Sequence, residues 1–271
     1  MIFLRVGTGP ETLSLYNTRI QKGGALLEEM RQLVRFWHDG RVDDVSQEAV
    51  RINILNKMTR ARAADILRRT FVPRFVQGTP PNAWKLLRPL ESLDAPPPLV
   101  RPVYYWISAR SEPLIQDFCT EFLFPRLTTV TTEVRVHDVL VWLDAKKCPW
   151  SPTVATKVAR GLLAAFRDFG MLEGKAEKRL STARLSVSAF AFIAFCLNGT
   201  GALGRDLLFH PDWRLFFLDV PDVEHYFLES HQHELIEYHA AGSTVSIAFP
   251  SQTVEEYARA VVQGQGSITR I

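Results

Sequence analysis

The sequence predicts a mainly α-helical protein in which an N-terminal helical bundle is followed by winged helix-turn-helix modules with short β-hairpins. The chain has 271 residues, of which 46% are hydrophobic, so it can bury a large core. Helical periodicity dominates residues 1–130, which we expect to form an all-helical domain. Residues 131–271 then follow the order strand, helix, turn, helix and hairpin, which is typical of a winged helix.

The N-terminal range begins with a segment, Thr12–Ile20, that we expect to be a short strand. From Leu26 to Trp37, apolar residues recur at the spacing of one face of an amphipathic helix. Thr59 can cap a later helix, which we expect to end near Val72 because Pro73 follows. The remaining helices of this range are expected at Asp44–Leu55, Trp84–Leu90, Val103–Ala109 and Pro113–Phe124.

Residues 131–198 are expected to form a basic winged helix. Ser151 and Pro152 suit the N-cap and first position of its longest helix, and Gly170 is a natural end for that helix. The expected elements, in order, are a strand at Glu133–Val136, a helix at Asp138–Ala145, a helix from Pro152 to Phe169 and a hairpin through Arg179–Leu185.

Residues 199–271 are expected to form an acidic, winged-helix-like tail. We predict a helix at Asp222–Glu229, a hairpin joining Leu235–Tyr238 to Val245–Phe249, and a helix at Val254–Val262. Between residues 206 and 258 the only basic residue is Arg214, against ten acidic residues. Phosphate would be repelled by such a surface, so it is either a protein-binding surface or an acidic surface that serves solubility.

The helix from Pro152 carries the strongest functional signal in the chain. Its polar face holds hydroxyl and basic side chains, and we expect Asp168 to point off that face. Residues 146–184 contain nine basic and three acidic residues, a net charge of +6. An acid-free basic face suits a helix that lies against phosphates and base edges, although a solvated basic face is the alternative. The candidate DNA-binding residues are Thr153, Thr156, Lys157, Arg160 and Arg167 on the helix, with Lys175, Lys178 and Arg179 on the hairpin.

A second basic patch lies on the helix that follows Thr59, where the candidate DNA-binding residues are Arg60, Arg62 and Arg69. Residues 57–74 carry six basic side chains and one acid, Asp65. A solvated face, with some arginines paired to Asp43, Asp44 and Glu48, explains this pattern as well as DNA contact does.

Signals for catalysis are weak, and we predict a non-enzymatic protein without a cofactor or metal. The segment Gly199–Gly204 matches G-x-G-x-x-G but lacks the surrounding strand-helix-strand units of a dinucleotide site. Three widely spaced cysteines argue against a disulfide framework. The apolar run Ala189–Leu197 is too short to cross a membrane, so we expect it to be buried core in a cytoplasmic protein.

Several stretches resemble the BrxA family of the BREX bacteriophage-resistance systems. They are Tyr16-Asn17-Thr18-Arg19 leading into Gly23-Gly24-Ala25-Leu26-Leu27, the segment Asn56-Lys57-Met58-Thr59-Arg60-Ala61-Arg62, and Trp150-Ser151-Pro152 with the helix that ends at Phe169-Gly170-Met171-Leu172. The resemblance covers most of residues 12–185. It implies a small non-enzymatic DNA-binding component that acts beside a methyltransferase, an ATPase and an alkaline-phosphatase-like protein encoded in the same locus.

The sequence therefore favours a component of a BREX system that binds double-stranded DNA, mainly through phosphates and with little sequence specificity. One alternative is an adaptor that uses winged helices to assemble the other BREX proteins. A distant alternative is a nucleotide-binding enzyme that uses Gly199–Gly204.

Overall fold

Helices make up most of the computed structural model, which describes residues 16–22, 24–128, 133–175, 177–181, 185–242 and 244–266. The N-terminal half contains two 3₁₀ helices, six α-helices and two π-helical segments among these residues. In chain order they are the N-terminal 3₁₀ helix Arg19–Lys22, α1 Leu27–Phe36, α2 Val42–Arg51, α3 Arg60–Ile66, a π-helix Leu67–Val76, α4 Trp84–Ser92, α5 Pro97–Ser111, α6 Pro113–Asp117, a π-helix Phe118–Leu123 and a 3₁₀ helix Phe124–Thr128.

Two predictions for this half are wrong. The described part of Thr12–Ile20 is not a strand, because its last residues enter the N-terminal 3₁₀ helix; residues 12–15 lie outside the described chain. The helix capped by Thr59 does not end before Pro73 but continues as the π-helix Leu67–Val76. In this wider turn the backbone N–H of Gln77 donates to the carbonyl of Val72, five positions earlier, at 2.8 Å. The helix therefore continues past Pro73, which has no backbone N–H to donate.

The middle of the chain has the strand, helix, turn, helix and hairpin that the sequence predicts. These elements are β1 Glu133–Val134, α7 Val136–Ala145, α8 Pro152–Asp168, β2 Leu172–Glu173 and β3 Lys178–Leu180. The strands form one antiparallel sheet in the order β1-β3-β2, in which Glu133 lies opposite Arg179 and Leu172 lies opposite Leu180. The predicted hairpin is thus present, but its second strand covers only Lys178–Leu180 instead of reaching Leu185. The strand predicted at Glu133–Val136 also ends at Val134, because α7 already begins at Val136.

The C-terminal part returns to helices around a second small sheet. Its elements are α9 Val187–Gly199, α10 Arg205–Leu208, a 3₁₀ helix Pro211–Phe216, α11 Val220–Gln232, β4 Glu237–Ala241, β5 Thr244–Ala248 and α12 Val254–Gly266. The predicted helices at Asp222–Glu229 and Val254–Val262 and the hairpin between them are confirmed. None of the described helices is long and apolar enough to span a bilayer.

One continuous hydrophobic core joins these parts. The apolar run Ala189–Leu197 lies inside α9, where nearly every side chain is buried, and α9 packs against α5 and α12. A polar link joins α5 to the 3₁₀ helix Pro211–Phe216: the Asp212 carboxylate accepts a hydrogen bond from the Trp106 indole at 2.7 Å and one from the Arg110 guanidinium at 3.0 Å. The predicted division near residue 130 stays a prediction, and both halves contribute to this core.

Candidate nucleic-acid interface

Helix α8 is held by its caps and by a buried apolar stripe. The Val154 N–H donates to the Ser151 hydroxyl at 3.4 Å, and Pro152 occupies the first turn, where no N–H is needed. Gly170 follows the helix with φ at +83°, a conformation that glycine adopts without strain. The buried residues, which fix which face of the helix points outward, are Val158, Ala159, Leu162, Leu163, Ala165 and Phe166.

The outward face of α8 carries the predicted side chains. Thr153, Lys157, Arg160 and Arg167 are exposed and recur along one stripe. Thr156 is only half-exposed, and its hydroxyl donates to the Pro152 carbonyl at 2.8 Å. The hydroxyl proton of Thr156 is therefore already donated within α8.

The N-terminal 3₁₀ helix covers the flank of α8 beside this stripe. Gly161 permits the contact, because a Cβ at that position would lie 2.6 Å from the Ile20 carbonyl oxygen. The backbone at Gly24 passes the same flank, near Ala164 and Ala165. These two backbone contacts cover one flank of α8, so the stripe that carries Lys157 and Arg160 is the side of the helix that stays exposed.

A groove of about 360 Å³ runs between α8, the start of α7 and the β2–β3 hairpin. It brings Arg160 and Arg167 of α8 together with Lys175 of the hairpin, as predicted, and it adds Arg135. These four side chains are exposed, and Glu177 is the only acid lining the groove among the described residues. Sequence reasoning missed Arg135 because it counted charge only from residue 146 onward, although Arg135 follows directly after the predicted strand.

Ion pairs divide the cations of this region into two groups. Arg167 pairs with Asp168 at 2.7 Å, so the prediction that Asp168 points away from the basic face is wrong. Glu133 pairs with Arg135 at 3.0 Å and with Arg179 at 3.4 Å across the sheet. Within the described chain, Lys157, Arg160 and Lys175 have no ion pair and remain available to an external anion; Arg184 lies outside the described residues.

Lys178 must be removed from the predicted DNA-binding surface. Its side chain is buried, and its ammonium group donates to the carbonyl of Gly174 at 2.9 Å and to the carbonyl of Lys175. Desolvation, followed by the nearby positive charge of Arg167, lowers the pKa of Lys178. Lys178 therefore fixes the turn of the hairpin instead of facing solvent.

The second basic patch is largely neutralised by Asp65. This carboxylate lies 2.6 Å from Arg69, 3.5 Å from Arg62 and 3.9 Å from Lys22, so the pairing with Asp43, Asp44 and Glu48 that we considered is replaced by one central acid. Arg62 also donates to the Lys22 carbonyl at 2.8 Å.

The other cations of residues 57–74 have different roles. Lys57 pairs with Glu29 at 2.8 Å, and Arg74 is buried in an ion pair with Glu112 at 2.7 Å. Arg60 is exposed beside the cleft between α2 and α3, away from the groove of α8. The two predicted DNA surfaces are thus separate, with the N-terminal 3₁₀ helix in contact with both α8 and α3.

The glycine-rich segment Gly199–Gly204 forms the exit from α9. The amides of Thr200, Gly201 and Ala202 bond carbonyls at the end of that helix, at 3.0, 2.9 and 3.3 Å. The following helix, Arg205–Leu208, has a single turn. A pyrophosphate site needs free amides and a helix N-terminus, so this geometry does not favour nucleotide binding.

Comparison with known proteins identifies the family. The model of the BrxA family matches residues 14–195. A search of curated proteins finds no match. Among solved structures, an uncharacterized protein from Magnetospirillum magneticum is similar, with a TM-score of 0.56 and 16% sequence identity over 75% of this chain and 99% of that one. That likeness concerns the fold alone. The family model covers more than half of the chain, which therefore belongs to the BrxA family and is thereby linked to BREX phage defence.

Proposed function

We propose that this chain is a non-enzymatic DNA-binding component of a BREX system and that α7, α8 and the β1–β3–β2 sheet act as a winged helix-turn-helix. In this proposal α8 lies against the duplex and the β2–β3 hairpin contacts the adjacent backbone. The observation that carries it is the concentration of exposed cations on one edge: Lys157 and Arg160 on α8, with Arg135 and Lys175 across the groove.

The side chains of this edge favour phosphate contact over base reading. Lys157 and Lys175 are flexible point charges, and neither has a carboxylate partner in the described structure. The exposed stripe of α8 carries no Asn or Gln, the side chains that pair with adenine, and only its arginines can pair with guanine in a bidentate manner. We therefore expect affinity for duplex DNA with little discrimination between sequences.

A titration of duplex DNA at two salt concentrations tests this function. If about five cations each neutralise one phosphate, affinity should fall roughly 500-fold between about 50 and 200 mM salt. Fluorescence anisotropy with two duplexes of unrelated sequence would measure both the salt dependence and the lack of sequence preference. Absence of binding by micromolar protein at the lower salt concentration would contradict a DNA-binding function.

The adaptor function is a second candidate, and the acidic tail favours it. Helix α11 exposes Val220 and Leu228, which are 39% and 46% exposed, on one stripe with the acidic Glu224. Apolar side chains beside acids suit a protein partner with a basic rim. If Leu228→Asp abolishes association with the other BREX proteins while the parent protein fails to bind DNA, the adaptor is the better description.

A further inference from the structure

A pocket of about 210 Å³ lies where α5, the end of α8 and the turn after the 3₁₀ helix Pro211–Phe216 meet. Its walls are mostly apolar: Phe169 and Met171 follow α8, Phe216 and Phe217 form the opposite turn, and prolines of α5 close one side. A cavity of about 150 Å³ with apolar walls is large enough for benzene, so this pocket can hold one substituted aromatic ring.

Among the described residues, one charged group, Arg101 of α5, lines this apolar pocket. Within the part of the chain that the structure describes, its buried Nε atom has no hydrogen-bond partner and the guanidinium has no ion pair, while the side chain as a whole is partly exposed. Gly170 lies directly against it, since a Cβ there would be 3.4 Å from the Arg101 Nη1 atom. A buried guanidinium N–H without an acceptor is unusual in a folded protein, and a bound anion would supply that acceptor.

From this combination we infer a binding site for a small aromatic monocarboxylate. The carboxylate would accept hydrogen bonds from the Arg101 guanidinium, whose planar fork matches carboxylate geometry. The ring would pack against Phe169, Phe216 and Met171, where offset or edge contacts between rings and sulfur–ring contacts are favourable. A phosphate group suits the pocket less well, because the described walls offer it one cation and little else that is polar.

The site stands apart from the exposed basic groove, so this inference does not depend on DNA binding. Phenylacetate is a suitable probe, and phenylacetamide is its neutral match in shape. We expect isothermal titration calorimetry to show millimolar or tighter binding of phenylacetate, with binding of the amide weakened by about ten-fold or more because the charge-assisted hydrogen bonds are lost. Phenylacetate should also raise the melting temperature, since it binds the native state.

Two variants locate the binding. Arg101→Met should weaken phenylacetate binding by about ten-fold or more, while Arg101→Lys, which keeps the charge, should retain part of it. Arg68→Met, which removes an exposed arginine elsewhere, should bind like the parent and serves as the control. Equal binding of the acid and the amide by the unmodified protein, no binding of either at millimolar concentration, or unchanged binding by a folded Arg101→Met variant would each overturn the site.

Discussion

Single residues in the β2–β3 hairpin show that charge counted along a sequence differs from charge available on a surface. Lys175 and Lys178 are three positions apart, and both were predicted to contact DNA. Lys175 is exposed, whereas Lys178 is buried and bonds the carbonyls of the hairpin turn. The difference arises because Lys175 lies in the loop between the strands, whereas Lys178 begins β3 and shares the covered side of that strand with Leu180.

This difference makes a paired prediction. Lys178→Met should lower the free energy of unfolding by about 1–2 kcal/mol, because the carbonyls of the turn lose a charged donor. Lys175→Met should leave stability unchanged and instead reduce the slope of log affinity against log salt by about one, the loss of one phosphate contact. Urea unfolding and DNA anisotropy on both variants check this. Loss of a phosphate contact in Lys178→Met without loss of stability would contradict its placement.

At the scale of elements, local patterns predicted α8 well and the π-helices poorly. The cap at Ser151, the apolar stripe from Val158 to Phe166 and the glycine after the helix all lie within one stretch of sequence, so periodicity could find them. Proline is a local signal for a helix end, yet at Pro73 the chain continues in a wider turn whose stability comes from burial of Phe71 and Phe75. Such tertiary burial is not visible in local sequence.

The docking of the N-terminal 3₁₀ helix on α8 was also not predicted, although a glycine within a helix can signal close approach of another backbone. Gly161→Ala should destabilise the protein by about 1–3 kcal/mol, because its Cβ would overlap the backbone of Ile20, where no flexible side chain can move aside. Helix propensity alone predicts the opposite effect, because it favours alanine over glycine by about 1 kcal/mol.

Gly199→Ala is a matched control, since a Cβ at Gly199 in α9 meets nothing within 4 Å. It should be neutral or slightly stabilising. Urea unfolding monitored by tryptophan fluorescence compares the two variants. A Gly161→Ala variant as stable as the parent would show that the N-terminal 3₁₀ helix does not pack on α8 at this distance.

At the scale of the whole molecule, the pattern of ion pairs decides which predicted basic surface is free. The acidic tail does not cover the basic groove through any ion pair in the described residues; the acids that pair with groove cations are Glu133 and Asp168. The second patch, by contrast, is neutralised by Asp65, which pairs with Arg62 and Arg69 on its own helical stretch; Lys22, 43 positions earlier in the chain, lies 3.9 Å from the same carboxylate. Sequence alone could propose both patches, but the choice between them depends on such pairings.

The most direct test of DNA binding through α8 compares two double variants, Lys157→Ala/Arg160→Ala and Arg62→Ala/Arg69→Ala, in an anisotropy titration with duplex DNA. Each should keep the circular dichroism spectrum of the parent. The α8 variant should bind about ten-fold or more weakly, since each lost contact costs on the order of 1 kcal/mol. The second variant should stay close to the parent, because Asp65 already engages both arginines. A parent-like affinity for Lys157→Ala/Arg160→Ala would contradict the proposed DNA surface, above all if Arg62→Ala/Arg69→Ala failed to bind.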